Sequence, residues 1–518
     1  MHNLDILFVN PGNSKGIYQG LATDYAAIEP PTWALLLAES VRGKGYTPAI
    51  LDINAEQLSH EEAAKKIQQL NPRLICFTVY GQNVNAGTVG MSGAVKLSNL
   101  LKEQQVSNPI AYIGSYIQAL PIKCLKEEPS IDFGFTNEGL YALLEVLSLP
   151  KIDVTNLEDI KGIVWRKDGV PKMNSAGKIV SKLDMDTEFP GYAWDLLPFK
   201  ETPLDLYRAP MWHAEYSQDH RTPYAALQTS LGCQFACEFC MINIINRNDE
   251  EEIGVAGHYS LMRYWSPEYI IKEFDKLIDM GVRTIRITDE MFLLSPKYYV
   301  PLCELLKERN DKLKEQGEEL KMWAYSRVDT IRRPGLLKLV KDAGIKWLCL
   351  GIESADKNVR LEVSKGKFED VDITKVIDQV HEAGIEVMAN YIVGLPGDTH
   401  ESMKKTLDFS LELCTSGWNT YAAMALPGSQ LYKNAVENGT PLPEDYEGYS
   451  FHAYNTLPLP TDQLTPAEIL KFRDDAFNTY HNHPLFLERI ERLFGKKEAD
   501  NIKEMTKIKL KRKIFENE

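Results

Sequence analysis

Three cysteines, Cys233, Cys237 and Cys240, lie close together with the spacing C-x-x-x-C-x-x-C. Three thiolates on one short loop can bind three irons of a cubane [4Fe–4S] cluster, which leaves the fourth iron open to a small molecule. Structural zinc usually takes four protein ligands, and no further Cys or His lies near this loop in sequence. A disulfide framework does not fit a long chain without a signal peptide. The triplet therefore predicts an iron–sulfur site.

The composition argues against several kinds of partner. The chain has 518 residues and a formal net charge of −15, and a field of that sign repels nucleic acid phosphates. The basic run at residues 507–513 is predicted to be the solvated face of a terminal helix. No apolar stretch is long enough to span a bilayer, and the N-terminus lacks the charged segment of a signal peptide. We expect no nucleic acid partner, no transmembrane segment and a cytoplasmic location.

The first part of the chain, residues 1–150, alternates short apolar runs with amphipathic stretches. This alternation predicts a doubly wound, Rossmann-like α/β domain, with strands near 5–9, 49–53, 74–79, 110–114 and 131–135. Ligands of such sheets bind beyond the carboxyl ends of the strands. No G-x-G-x-x-G follows the first strand, which argues against a dinucleotide. The residues expected to approach a bulky polar ligand are Asn10, Tyr80, Gln82, Asn83, Gly114, Ser115, Tyr116, Asn137, Glu138 and Gly139.

The rest of the chain divides into three parts. Residues 151–222 are predicted to bridge the two main units, with an edge strand at 162–166. Residues 223–440 show six strand–helix units, with strands near 224–230, 283–288, 321–326, 347–351, 386–393 and 420–425. This pattern predicts a partial (β/α)6 barrel whose site lies at the carboxyl ends of its strands. Residues 441–518 are predicted to form a helical C-terminal region that covers the open side of the barrel, with its last helix at 499–515.

Polar segments at the barrel strand ends resemble, in order, the motifs of the radical S-adenosylmethionine (SAM) superfamily. They are Thr288-Asp289-Glu290, Tyr325-Ser326-Arg327, Gly351-Ile352-Glu353-Ser354 and Gly394-Leu395-Pro396-Gly397, together with the cysteine loop. The resemblance implies that the methionine part of SAM chelates the open iron. It further implies that Phe239 lies against the adenine, which Gly394 allows to approach closely. Arg327 would bind the SAM carboxylate through two parallel bonds, and Glu353, Ser354 and the similarly placed Glu290 would serve its ribose or amino group.

The first part of the chain resembles the cobalamin-binding domain that precedes the barrel in many radical SAM enzymes. The resemblance lies in Pro30-Pro31, Leu51-Asp52, Ile113-Gly114-Ser115 and Asn137-Glu138-Gly139. The branch that ligates cobalt through histidine carries D-x-H-x-x-G after the first strand, whereas this chain has the run 10–16, NPGNSKG. A bound cobalamin would therefore lack a protein histidine on cobalt.

The two resemblances together imply an enzyme similar to the class B radical SAM methylases. Such an enzyme cleaves SAM reductively to a 5′-deoxyadenosyl radical, which attacks an unactivated C–H bond, and transfers a methyl group from cobalamin. An oxidoreductase, a cyclase or a carbon–carbon coupling enzyme is the alternative. Ser115-Tyr116 keeps it open, because the usual pair of glycines is Gly114-Ser115 here, followed by the bulky Tyr116. The intact cysteine triplet argues against a module that only senses a ligand. Methylthiolation is disfavoured, since the first part has only two cysteines.

The implied partners are a substrate and an electron donor. The substrate would be a small molecule, a lipid, a sugar or a peptide, and the donor a reducing protein such as flavodoxin or ferredoxin. No catalytic acid or base is assigned from the sequence.

Overall fold

The computed structural model describes residues 4–81, 84–331, 333–363 and 371–516. Within these residues, the N-terminal part contains a seven-stranded sheet with the strand order β2-β1-β3-β4-β5-β6-β7. Strands β1 to β5 are parallel, whereas β6 and β7 are antiparallel to their neighbours. The strands are β1 (Ile6–Asn10), β2 (Pro48–Asp52), β3 (Leu74–Val79), β4 (Ile110–Gly114), β5 (Phe133–Phe135), β6 (Ile163–Lys167) and β7 (Val170–Met173).

The helices of this part cover both faces of the sheet, as continuous burial of strands such as β3 requires. They are α1 (Ser14–Tyr18), α2 (Thr32–Gly43), α3 (Ile53–Glu56), α4 (His60–Leu70), α5 (Gly87–Glu103), α6 (Ser115–Ala119), α7 (Pro121–Glu127) and α8 (Leu140–Ser148). Helix α2 packs with α8, and α4 packs with α5. The sheet and these helices form the front domain.

The prediction of an edge strand at residues 162–166 was wrong. Strand β6 lies between β5 and β7, because Val170–Met173 pairs with it and takes the outer position. Residues beyond 150 thus extend the front sheet. The boundaries drawn at residues 150, 222 and 440 stay predictions.

The second sheet, in the described part of residues 223–440, has six parallel strands in the order β15-β14-β13-β12-β11-β8. Beside it, β9 and β10 form an antiparallel pair that carries the first cysteine. The strands are β8 (Tyr224–Leu227), β9 (Ser230–Cys233), β10 (Leu261–Tyr264), β11 (Thr284–Ile287), β12 (Lys321–Arg327), β13 (Ile345–Glu353), β14 (Glu386–Val393) and β15 (Gly417–Ala422). This open sheet and the helices between its strands form the half-barrel.

The short helix α9 (Met185–Glu188) lies in the connection between the two sheets. The helices of the half-barrel are α10 (Pro267–Asp279), α11 (Pro296–Glu315), α12 (Leu337–Asp342), α13 (Lys357–Val363), α14 (Ile373–Glu382), α15 (His400–Leu413) and α16 (Gln430–Glu437). Three helices follow: α17 (Pro466–His481), α18 (Pro484–Phe494) and α19 (Lys496–Thr506). Helix α17 packs against β15 and so continues the layer of helices around the half-barrel.

The C-terminal segment differs from its prediction. Helix α19 ends at Thr506 rather than reaching residue 515, so the basic run at 507–513 is not the face of a helix. Arg512 is buried, donates to the carbonyl of Ala453 at 2.8 Å and pairs with Asp474 at 2.9 Å. The run therefore ties the chain end to the preceding loops. Among the described residues, no helix combines the length and apolar character needed to cross a membrane.

Candidate cluster and cofactor site

The cysteine loop begins at the end of β9 and is held by backbone contacts. The Oδ1 atom of Asn243 accepts from the backbone N–H of Cys233 at 2.7 Å, and its Nδ2 donates to the carbonyl of Phe235 at 3.1 Å. The N–H of Phe235 in turn lies 3.5 Å from the Cys233 sulfur. In the described ranges, no three His, Cys, Asp or Glu side chains converge tightly enough to hold a single metal ion. A cubane does not require such convergence, because each cysteine binds a different iron.

The three thiols lie in surroundings that disfavour the free thiolate. Burial raises the pKa of Cys233 to about 12 and that of Cys237 to about 11, while the pKa of Cys240 lies well above its usual value. The guanidinium of Arg327 partly opposes this shift at Cys237. The thiols therefore keep their protons at neutral pH until a metal takes the place of the proton.

Asp289 and Glu290 are adjacent but have different surroundings. Asp289 accepts from the N–H and the hydroxyl of Thr229, both at 2.6 Å, and from the hydroxyl of Ser230 at 2.5 Å. It thus fixes the segment that leads into the cysteine loop. Glu290 has no hydrogen-bond partner among the described residues, and burial raises its pKa to about 7, while the positive charge of Arg286 opposes the shift. Glu290 is the carboxyl that remains available for a ligand.

The Arg327 guanidinium, at the end of β12, binds an internal carboxylate. Its Nε and Nη2 donate to the two oxygens of Asp329 at 2.8 and 2.5 Å, and its plane lies 4.0 Å from the centre of the Phe235 ring. Its strand neighbour in the sheet is Gly351, next to the Glu353 segment. The Arg327 guanidinium, which the sequence assigned to the SAM carboxylate, thus lies at the predicted strand end. Two of its nitrogens donate hydrogen bonds to Asp329.

Glu353 ends β13 in an unusual backbone conformation. Its φ is 65°, and the pairing of β13 with β14 shifts between Gly351 and Glu353. Left-handed backbone of this kind is uncommon for a residue other than glycine and is often found at functional sites. Burial raises the pKa of Glu353 to about 7, although Arg327 and Arg360 oppose the shift. The backbone thus places a carboxyl that titrates near neutrality beside Arg327.

Ser354, the next residue, is fully buried and bonded within the protein. Its hydroxyl lies 3.2 Å from that of Thr406 and accepts from the N–H of Asp356 at 3.1 Å. It also accepts through its carbonyl from the Arg360 guanidinium at 2.5 Å. These contacts hold the turn that begins α13, so Ser354 supports the position of Glu353.

Phe239 and Gly394 lie near the end of β14. Phe239 packs against a small apolar cluster that includes Ile392 and Leu395, and its contact with an adenine stays a prediction. Gly394 has a φ of +77°, and a Cβ there would lie 2.6 Å from a methyl group of Ile469 on α17. The close approach of α17 is therefore sufficient to require glycine at this position.

Several residues expected to contact a ligand at the front sheet are bonded to the protein instead. Asn10 donates to Asp52 at 2.9 Å, and Asn137 donates to the carbonyl of Gly177 at 2.9 Å. Asn137 also accepts from the N–H of Gly139 at 3.0 Å, which holds the start of α8. These bonds shape the carboxyl edge of the sheet. Gln82 and Asn83 lie outside the described residues.

Glu138, from the same set, links the front domain to the half-barrel. Its carboxylate pairs with Arg263 of β10 at 2.6 Å, and neither side chain is exposed. Arg263 also donates to the carbonyl of Val180 at 2.7 Å and to Asn246 at 2.7 Å. These partners enclose the Glu138 carboxylate, which therefore helps to hold the two domains together.

The four selected residues at the carboxyl ends of β3 and β4 lie in different environments. Tyr80 stacks on Trp33 with ring centres 4.9 Å apart. A Cβ on Gly114 would clash with the Val79 carbonyl. The Ser115 hydroxyl is buried without a partner among the described residues. Tyr116 packs edge-on against Tyr446, 5.0 Å away, so its ring is directed toward the C-terminal region.

A crevice lies between the front domain and the half-barrel. Its walls come from the front domain on one side and, on the other, from half-barrel strand ends and residues that flank the cysteine loop. Two buried polar atoms in this lining, Trp33 Nε1 and Gln228 Oε1, have no partner among the described residues. Such orphaned groups fit a ligand with several polar arms. The residues that line the interdomain crevice are Thr32, Trp33, Tyr80, Gly81, Val84, Gln228, Ser230, Gly232, Ile242, Ile245, Thr288 and Glu290.

Sequence reasoning missed two front-domain residues that reach the half-barrel. Asn85 accepts from the N–H of Met241 at 2.9 Å and lies 3.8 Å from the Cys240 sulfur. Glu29 forms an ion pair with Arg286 of β11, and both side chains are almost fully buried. Asn85 is close in sequence to Gln82 and Asn83, which were expected to approach a ligand, and this proximity is the local signal that could have pointed to it.

Comparison with known proteins supports the same architecture. The profile of the radical SAM superfamily matches residues 227–410. An uncharacterized methyltransferase of Pyrococcus horikoshii is 25% identical over 87% of this chain and 87% of its own length. The anaerobic magnesium-protoporphyrin IX monomethyl ester cyclase of Cereibacter sphaeroides is 23% identical over 92% of this chain and 69% of its own length.

Among solved structures, the radical SAM methyltransferase TsrM of Kitasatospora setae, with cobalamin and a [4Fe–4S] cluster bound, has the same fold. It covers 97% of this chain and 99% of its own length, with 13% identity and a TM-score of 0.64. The predicted succession of a Rossmann-like front domain, a radical SAM half-barrel and a helical C-terminal region is confirmed. Residues 227–410 of the chain thus form a radical SAM domain.

Proposed function

We propose that this chain is a cobalamin-dependent radical SAM methyltransferase. The observation that carries the proposal is the interdomain crevice, in which the carboxyl edge of the front sheet faces Glu290 and residues that flank the cysteine loop. A cofactor held by the front domain would thus lie beside one held by the half-barrel. A [4Fe–4S] cluster with an open iron supplies one electron to SAM, and cobalamin supplies a methyl carrier.

The chain's own residues would bind and orient these groups. Cys233, Cys237 and Cys240 would hold the cluster, and Glu353 would accept from the SAM amino group. The Trp33 N–H and the Gln228 amide oxygen, both buried without partners among the described residues, would meet the amide arms of cobalamin. No histidine lines the crevice in the described part of the chain, which supports binding without a protein histidine on cobalt.

The enclosure of the site would also keep water from reactive species. The interdomain ion pair between Glu29 and Arg286 lies deep in the half-barrel, where Arg286 also donates to the Tyr325 hydroxyl at 2.9 Å. Because the charges of Glu29 and Arg286 cancel, this pair adds no net charge to the interior of the half-barrel. We propose a small-molecule, lipid, sugar or peptide substrate, and flavodoxin or ferredoxin as the reductant in the cytoplasm.

The relative from Cereibacter sphaeroides favours a second candidate, because it is a cyclase that aligns with 92% of this chain. In this alternative the chain uses the same cluster and SAM for an oxidative cyclisation or coupling. The front domain would then be retained with or without cobalamin. The two candidates differ in their SAM-derived products.

The first expected result separates these candidates. Anaerobically reconstituted protein with SAM, a reductant and substrate should retain cobalamin and release both S-adenosylhomocysteine and 5′-deoxyadenosine. Electron paramagnetic resonance of the bound Co(II) form should show no splitting from a histidine nitrogen. Production of 5′-deoxyadenosine alone by a protein that does not retain cobalamin would contradict methyl transfer and support the cyclase alternative. Histidine splitting would contradict the ligation proposed here.

The second expected result concerns Glu353. Glu353→Gln should weaken SAM binding by about 1.5–3 kcal/mol, because the amide oxygen can still accept from the SAM amino group but the carboxylate charge that strengthens this hydrogen bond is lost. The pKa of about 7 means that the carboxylate forms as pH rises through neutrality. Wild-type affinity should therefore increase from about pH 6 to about pH 8, whereas that of Glu353→Gln should stay flat. Calorimetric titration of the reconstituted proteins measures both.

A matched control for this experiment is Glu308→Gln, whose side chain is 67% exposed on α11. It should behave as the wild type in affinity and in pH dependence. Equal affinities and equal slopes in all three proteins would remove Glu353 from the SAM site.

A further inference from the structure

The side chain of Asn85 joins the front domain to the cysteine loop. Asn85 follows the loop at the end of β3, 155 residues before Cys240 in sequence, yet its amide lies beside both Cys240 and Met241. Val84, its neighbour, lines the interdomain crevice. The contact therefore joins the domain assigned to cobalamin with the loop assigned to the cluster.

The orientation of the Asn85 amide is determined by its backbone partner. The N–H of Met241 can only donate, so the atom 2.9 Å from it is the oxygen Oδ1. The Nδ2 group and Oδ1 both lie 3.8 Å from the Cys240 sulfur. When Cys240 is an iron-bound thiolate it can only accept, so an N–H of Asn85 is the donor to the sulfur.

We propose that Asn85 is a positioning residue that sets the reduction potential of the cluster from the front domain. This inference rests on the proposed cluster at Cys233, Cys237 and Cys240. Hydrogen bonds to cluster sulfurs are among the factors that set the potential of such clusters. Reduction adds one negative charge, part of which resides on the sulfurs, so an N–H donor stabilises the reduced form and raises the potential. Loss of the donor lowers it.

Asn85→Asp is the sharpest test, because it is isosteric and still accepts from the N–H of Met241 but has no donor for the sulfur. Asn85→Ala removes both contacts without adding a charge. In anaerobic redox titrations followed by electron paramagnetic resonance, both variants should have lower potentials than the wild type. At a fixed potential the ratio of reduced to oxidised cluster should fall by about threefold to tenfold, with tenfold corresponding to about 59 mV. Iron content should be unchanged.

Asn243→Asp is a matched control on the same loop. It keeps the bond to the N–H of Cys233 and adds the same charge, but Asn243 donates to the Phe235 carbonyl rather than to a sulfur. Its potential should change less than that of Asn85→Asp.

Three outcomes would overturn the inference. They are an unchanged potential in both Asn85 variants, an equal shift in Asn243→Asp, and loss of iron in both Asn85 variants while the wild type is loaded, which would make Asn85 a purely structural support. A wild type that binds no cluster contradicts the proposed function itself, and this result is distinguishable from the other three.

Discussion

Replacement of Cys233, Cys237 and Cys240 together by Ala is expected to abolish both the iron–sulfur absorbance and all cleavage of SAM. The three thiols are the protein ligands on one loop, and their surroundings keep them protonated unless iron is bound. Anaerobic reconstitution followed by iron analysis should give about four irons per chain for the wild type and none for the variant. Chromatography of the reaction mixture should find no 5′-deoxyadenosine from the variant.

Two other cysteines serve as controls. Cys303 is buried inside α11, and Cys414 ends α15 in a left-handed conformation. Both are far from the cysteine loop in sequence, and we interpret both as small residues that fill apolar packing. Cys303→Ala and Cys414→Ala should therefore retain the iron and the activity. A triple variant that still binds about four irons per chain would contradict the ligand assignment.

Elements with strong local signals could be predicted closely from the sequence. Strand β3 has the predicted bounds, Leu74–Val79, and helix α4 (His60–Leu70) has a clear start signal in the sequence. A continuous apolar run marks the strand, because a parallel sheet is covered on both faces. A capping box between Ser59 and Glu62 fixes the start of the helix. The tail lacks such a stop signal after Thr506, so its last helix was extended too far.

The partners of polar side chains could be predicted less well. The spacing of strand ends correctly brought Arg327 and Glu353 to one end of the half-barrel. The Arg327–Asp329 ion pair could have been anticipated from the sequence, because the two residues are only two positions apart. By contrast, the contact of Asn85 with Cys240 spans 155 residues. It depends on how two domains pack, and no local pattern encodes that.

Glu138, which the sequence assigns to a cofactor, forms a fully buried ion pair with Arg263 between the domains. Glu138→Ala would leave the Arg263 charge buried without its partner. Loss of one partner of a buried pair destabilises a protein by about 3–5 kcal/mol. Thermal unfolding of the apo protein should therefore show a large decrease in midpoint.

A double variant separates stability from cofactor binding. In Glu138→Leu/Arg263→Met both charges are removed, and well-packed apolar replacements of a buried pair are often neutral or stabilising by about 1–4 kcal/mol. Its unfolding midpoint should recover most of what Glu138→Ala loses, and its cobalamin retention should match the wild type. A double variant that is stable but no longer retains cobalamin would restore Glu138 to the cofactor site. A Glu138→Ala midpoint equal to that of the wild type would contradict the structural role, because a buried guanidinium cannot lose its counter-ion without cost.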